Sequence, residues 1–89
     1  MNLYKKAVDN VRKYHKDYYE RMEEEYYNRI EKANVKILEE SEQGVNSIYI
    51  YPIDYEGEFD NRLIKYYEDM GFKCKYIESN LGTVICIKW

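Results

Sequence analysis

The chain has 89 residues, of which 45% are hydrophobic and 35% charged, with a formal net charge of -3. That length supports one domain with one modest core, the acidic balance excludes a protein held on nucleic acid by an overall positive field, and no apolar run approaches the roughly 18 residues of a membrane span. Twelve residues are tyrosine, whose ring and hydroxyl suit half-buried and contact positions better than a dry core.

From Asn2 to Gln43 there is neither Pro nor Gly, and Tyr4, Val8, Val11, His15, Tyr18, Met22, Tyr26, Ile30, Ala33 and Ile37 recur at a mean step of about 3.67. This spacing predicts one long amphipathic helix over 2–43, ended by Gly44, with Asn34 as the one earlier position where it could break. Its charge is uneven. Lys5, Lys6, Arg12, Lys13 and Lys16 outweigh Asp9 and Asp17 over residues 1–19, a net of +3, whereas eight Glu outweigh four cations over residues 20–43, a net of -4. That order opposes the helix dipole.

Residues 46–54 (NSIYIYPID) read as a strand, with Pro52 placing it at an edge or fraying it. A second helix over 58–70 follows from the spacing of Phe59, Leu63, Tyr66, Tyr67 and Met70, with Gly71 as its stop. Residues 73–78 (KCKYIE) and 83–89 (TVICIKW) read as strands joined by the turn Ser79-Asn80-Leu81-Gly82. A helical crossover leaves the first two strands parallel, and the hairpin makes the third antiparallel to the second.

The expected fold is therefore α+β: a single domain over 1–89, in which a long N-terminal helix (2–43) precedes a β-α-β-β unit (46–89). Its three-stranded sheet takes the order 1-3-2, half of a ferredoxin-like arrangement. The uninterrupted run Val84-Ile85-Cys86-Ile87 points to a central strand with both faces covered. A helix of 40 residues reaches about 60 Å, far beyond strands of about 20 Å, so something must cover the overhang. Either the helix folds back near Asn34 or its first half packs on another copy; the absence of Gly and Pro favours a homo-oligomer through the helix.

Chemistry-bearing residues are sparse. His15 is the only histidine, and without a nucleophile and an orienting partner it makes no triad; partly buried packing is its expected role. Cys74 and Cys86 lack a CxxC partner and read as reduced thiols packed in the sheet. The carboxylates of Asp54, Glu56, Glu58 and Asp60 put the wrong residues at the Gly and Glu positions of an EF-hand loop and read as a helix N-terminus. No metal, cofactor or catalytic residue is implied.

Tyr49 and Tyr51 share a strand face opposite Ile48 and Ile50, and Glu20, Glu23, Glu24, Glu25 and Glu31 band the middle of the long helix. The leading expectation is a non-enzymatic interaction protein that self-associates and meets a protein partner through Tyr18, Glu20, Glu23, Glu24, Tyr26, Tyr27, Tyr49 and Tyr51. The alternative is a nucleic-acid-binding regulator using Lys5, Lys6, Arg12, Lys13 and Lys16, with Tyr49 and Tyr51 for stacking. The N-terminal stretch MNLYKKAVDNVRKYHK has no apolar secretory core, so a cytoplasmic location is expected.

The short length, the Lys/Glu/Tyr/Ile/Asn bias and the ending of helix, GFKCKYIE, turn and TVICIKW resemble small accessory proteins encoded by phages of AT-rich bacterial hosts. The likeness covers a loose pattern over residues 62–89. It implies a protein that binds a host factor, such as a component of bacterial defence, in the host cytoplasm, and it transfers no site residues.

Overall fold

A computed structural model describes residues 2–89. In chain order the elements are α1 (Leu3–Glu42), β1 (Ser47–Ile50), α2 (Glu58–Asp69), β2 (Lys73–Ser79) and β3 (Gly82–Lys88). The sheet order is β1-β3-β2, with β3 antiparallel to both neighbours; β1 and β2 therefore run parallel. The α+β class and the central position of the last strand agree with the sequence pattern.

Helix α1 is continuous for 40 residues and does not fold back at Asn34. Asn2 caps its start, its side-chain oxygen accepting from the Lys5 amide at 3.1 Å. At its end Gly44 takes φ 81°, and the Val45 amide donates to the Glu40 carbonyl at 3.0 Å, closing the last turn. The molecule is 64 Å along its longest axis and 26 by 20 Å across, so α1 defines its length.

Only the second half of α1 is packed. Tyr26, Ala33 and Ile37 are buried with Phe59, Leu63 and Tyr67 of α2 and with Ile48, Ile85 and Ile87 of the sheet, while Met22 and Ile30 lie at the edge of this core. Since Ile48, Ile85 and Ile87 share one face of the sheet, both helices lie against that face, and among the described residues no element covers the other. Here the expectation drawn from the Val84–Ile87 run is corrected. Cys86 is only 6% exposed, but it stands on the uncovered face, sheltered by its flanking strands rather than by a second layer.

Two local differences have polar causes. The strand expected over 46–54 is confined to Ser47–Ile50, because Pro52 has no N–H and the amides of Ile53 and Asp54 donate to Asp60 Oδ1, at 2.7 and 3.4 Å. Asn34 does not break α1 because its side chain has a distant partner: the Tyr67 hydroxyl donates to Asn34 Oδ1 at 2.8 Å. Tyr67 is fully buried, and burial pushes its hydroxyl well above the usual tyrosine range. It stays protonated and serves as the donor that ties α2 to α1.

Candidate interaction surface

The carboxylate segment before α2 is a folding device. Asp54 accepts the amides of Phe59 at 2.9 Å and Asp60 at 2.7 Å, satisfying orphan donors of the first turn. Asp60, expected only as a dipole-compensating carboxylate, is completely buried. Besides the two loop amides it accepts the Tyr76 hydroxyl at 2.7 Å, and the Tyr76 oxygen in turn accepts from the Glu56 amide at 2.9 Å. Burial and the bond to Asp60 push the Tyr76 hydroxyl up to about 12. Among the described residues no group of three or more His, Cys, Asp or Glu side chains converges as metal ligands do.

Outside this network the functional candidates fall on three surfaces. The first is the α1 arm, residues 3–21, where Val8 is half-buried and every other residue is exposed. The stripe that forms the core at Tyr26, Ile30, Ala33 and Ile37 continues into the arm as Tyr4, Val8, Val11, His15 and Tyr18, apolar or aromatic but for the histidine, and there Tyr4 and Val11 are 79% and 56% exposed. Tyr4, Ala7, Val8, Val11 and Arg12 frame a shallow apolar hollow there. His15 sits on the same arm, exposed rather than partly buried, with its ring 5.8 Å from that of Tyr14.

The second surface is the acidic middle of α1, and its residues separate into two groups. Tyr26 is in the core, and Glu23 makes a two-pronged ion pair with Arg62 of α2, whose guanidinium carbon lies 4.4 Å from the centre of the Tyr26 ring. These two side chains are occupied in joining α1 to α2. Glu20, Glu24 and Tyr27 are exposed, and Tyr18, at the base of the arm, packs edge-on to Tyr19 at 5.6 Å.

The third surface is the uncovered sheet face. Cross-strand register aligns Tyr49 with Cys86 and Lys75 in one row, and Ser47 with Lys88 and Lys73 in the next. Tyr49 is 54% exposed, and Tyr51, just past the strand, 67%. Along the β1 edge, Arg29, Lys32 and Lys36 of α1 line a shallow groove with Tyr49 and Tyr51. The structure therefore parts the residues of the nucleic-acid alternative. Lys5, Lys6, Arg12, Lys13 and Lys16 lie on the arm, about 20 to 36 Å up the helix axis from Arg29, whereas the two tyrosines lie beside other cations.

The register that brings Lys73 opposite Lys88 joins residues 15 apart in the chain. The signal for it was the outward alternation of both strands, legible only once β2 and β3 are paired. No helix among the described residues is long and apolar enough to cross a membrane. Neither the family models, nor characterised proteins, nor solved structures match this chain.

Proposed function

We propose that the protein is a non-enzymatic interaction module that self-associates through the arm of α1 and meets a protein partner beside it, at the exposed Tyr18, Glu20, Glu24 and Tyr27. The observation that supports this reading is the continuation of the helix stripe: one row of side chains packs on the body from Met22 to Ile37, with Tyr26, Ala33 and Ile37 buried, and goes on along the arm from Tyr4 to Tyr18, mostly apolar or aromatic and with nothing packed against it. A helix stripe of that width belongs against another apolar surface, and a second arm supplies one of matching chemistry.

Sedimentation equilibrium from micromolar to submillimolar protein tests the self-association. The wild type is expected to approach twice the monomer mass. Burying a valine contributes about 1.5 kcal/mol, and a symmetric pair contains each residue twice, so Val11→Glu is expected to weaken the dimer at least a hundredfold. A wild type that stays monomeric throughout, or a Val11→Glu variant that associates as well as the wild type, refutes the reading.

A further inference from the structure

Lys73 and Lys88 are direct cross-strand partners, and Lys75 stands next to them on the same outward face. Like charges placed opposite one another destabilise a sheet, and among the described residues no ion pair offsets them. The other outward residues of the sheet are Ser47, Tyr49, Ile77, Ser79, Val84 and Cys86, so the face carries no carboxylate, although Asp and Glu outnumber Lys and Arg over the whole chain, 17 to 14. Among the described residues none of Lys32, Lys36, Lys73, Lys75 and Lys88 is in an ion pair. An acidic protein has thus gathered three unpaired cations on the sheet face left open by both helices and two more along its β1 edge.

We infer that this face is a binding surface for single-stranded nucleic acid, with the Tyr49 ring as its stacking platform. The cations occur on both sides of that ring: Lys73, Lys75 and Lys88 on β2 and β3, and Lys32 and Lys36 on the exposed side of α1 where it borders β1. A strand laid across β2, β3 and β1 would meet positive charge, then an aromatic face, then positive charge again, the alternation that phosphates and an unstacked base require. The face is shallow and open, which suits bases splayed from a flexible strand better than a stiff duplex that must present a groove. Tyr51, exposed beyond the end of β1, offers a second ring at the α1 side of the track. Phosphates answer the lysines and an unstacked base answers the ring, so one ligand engages both features of the face. The inference is independent of self-association, because the arm contributes nothing to this face.

Fluorescence anisotropy of the full chain against a labelled 20-nucleotide oligo-dT and its oligo-rU counterpart, at about 50 mM salt, tests it. Saturable binding is expected, with log K falling against log salt at a slope of about -2 for three neutralised phosphates. The triple variant Lys73→Glu, Lys75→Glu, Lys88→Glu should lose binding at least tenfold and flatten that slope. Tyr49→Ala should lose about fivefold to a hundredfold while Tyr49→Phe stays near wild type, a contrast that a general loss of charge or of folding would not produce. Circular dichroism should be unchanged, since all four side chains are exposed.

No anisotropy change at low salt overturns the inference. It also falls if Lys5→Glu, Lys13→Glu removes binding while the sheet variants bind normally, which would place the contact on the arm. Displacement of the tracer by poly-glutamate as effectively as by unlabelled oligonucleotide, with Tyr49→Ala matching wild type, would assign the face to an acidic protein segment, a second copy's helix included, and equally overturn it.

Discussion

Asn34 offers the sharpest test of how this domain is held together, because a helix-propensity argument and a tertiary argument predict opposite signs there. Asn is about 0.6 kcal/mol worse than Ala in a helix interior, so on propensity alone Asn34→Ala stabilises the protein. The Tyr67 hydroxyl, however, is buried and donates to Asn34 Oδ1 at 2.8 Å. Removing that acceptor costs about 1–3 kcal/mol for a stranded buried donor. The Ile30 carbonyl, 3.3 Å from the same hydroxyl, holds the cost near the low end. The expected net effect of Asn34→Ala is a destabilisation of about 0.5–1 kcal/mol. Tyr67→Phe should cost about 1 kcal/mol, since Asn34 is half-buried and its oxygen can turn to water. The double variant should be less destabilised than the two singles together, by about 1 kcal/mol of coupling. Urea unfolding by circular dichroism measures all four proteins, at one fixed concentration because association would shift apparent stability. A coupling of zero within error, or a net stabilisation by Asn34→Ala, would refute the assignment of Asn34 as a tertiary tie between α1 and α2.

Other perturbations probe the remaining contacts. Asp60→Ala leaves the Ile53 and Asp54 amides and the Tyr76 hydroxyl without their acceptor, and should cost about 3 kcal/mol or more in a urea titration. Burial, with smaller contributions from Glu68 and Cys86, pushes the Cys74 thiol up to about 11 from an ordinary 9.0. A raised pKa means the folded state holds the proton more tightly, so the contribution is complete below pH 9 and is lost as pH rises toward 11. Stability should therefore fall over that interval, and Cys74→Val should remove the early part of the fall in unfolding midpoints measured from pH 8 to 12. Tyr76, up to about 12, extends the loss at higher pH. Lys88→Thr removes the like charge opposite Lys73 and should raise stability by about 0.5 kcal/mol, read as a higher unfolding temperature. A drop instead would mean the lysine stems contribute more through packing than their charges cost.

The elements were legible because their signals are local. The 3.67 step of α1, the stops at Gly44 and Gly71, and the Ser79–Gly82 turn each act within a few residues, and the β1-β3-β2 order follows from connecting them without crossing. What stayed hidden depends on partners distant in the chain. Asn34 reads as a weak point until Tyr67 arrives 33 residues later, and Asp60 reads as a surface carboxylate until the loop after Pro52 wraps over it. Glu23 looks like one more member of the acidic band. Its partner Arg62, which also lies over the Tyr26 ring, comes 39 residues later. Pattern by itself cannot bring Lys73 beside Lys88, because the pairing joins two strands across the turn.

The arm's helicity is borrowed. Starting a helix is improbable in an isolated peptide, with a nucleation constant on the order of 0.001, whereas lengthening one already formed is nearly free at each residue. The body supplies that nucleus when Tyr26, Ala33 and Ile37 dock onto α2 and the sheet, and the arm grows from it as a continuation of the same hydrogen-bond ladder. During synthesis the arm leaves the ribosome well before β3, the middle of the sheet. A chain made only as far as α2 therefore carries the arm's apolar side chains without the rigid row that presents them, and amide exchange in the monomer should be slowest near Ile37 and quicken steadily toward Leu3. Order in the arm becomes a readout of whether the last strand has been placed.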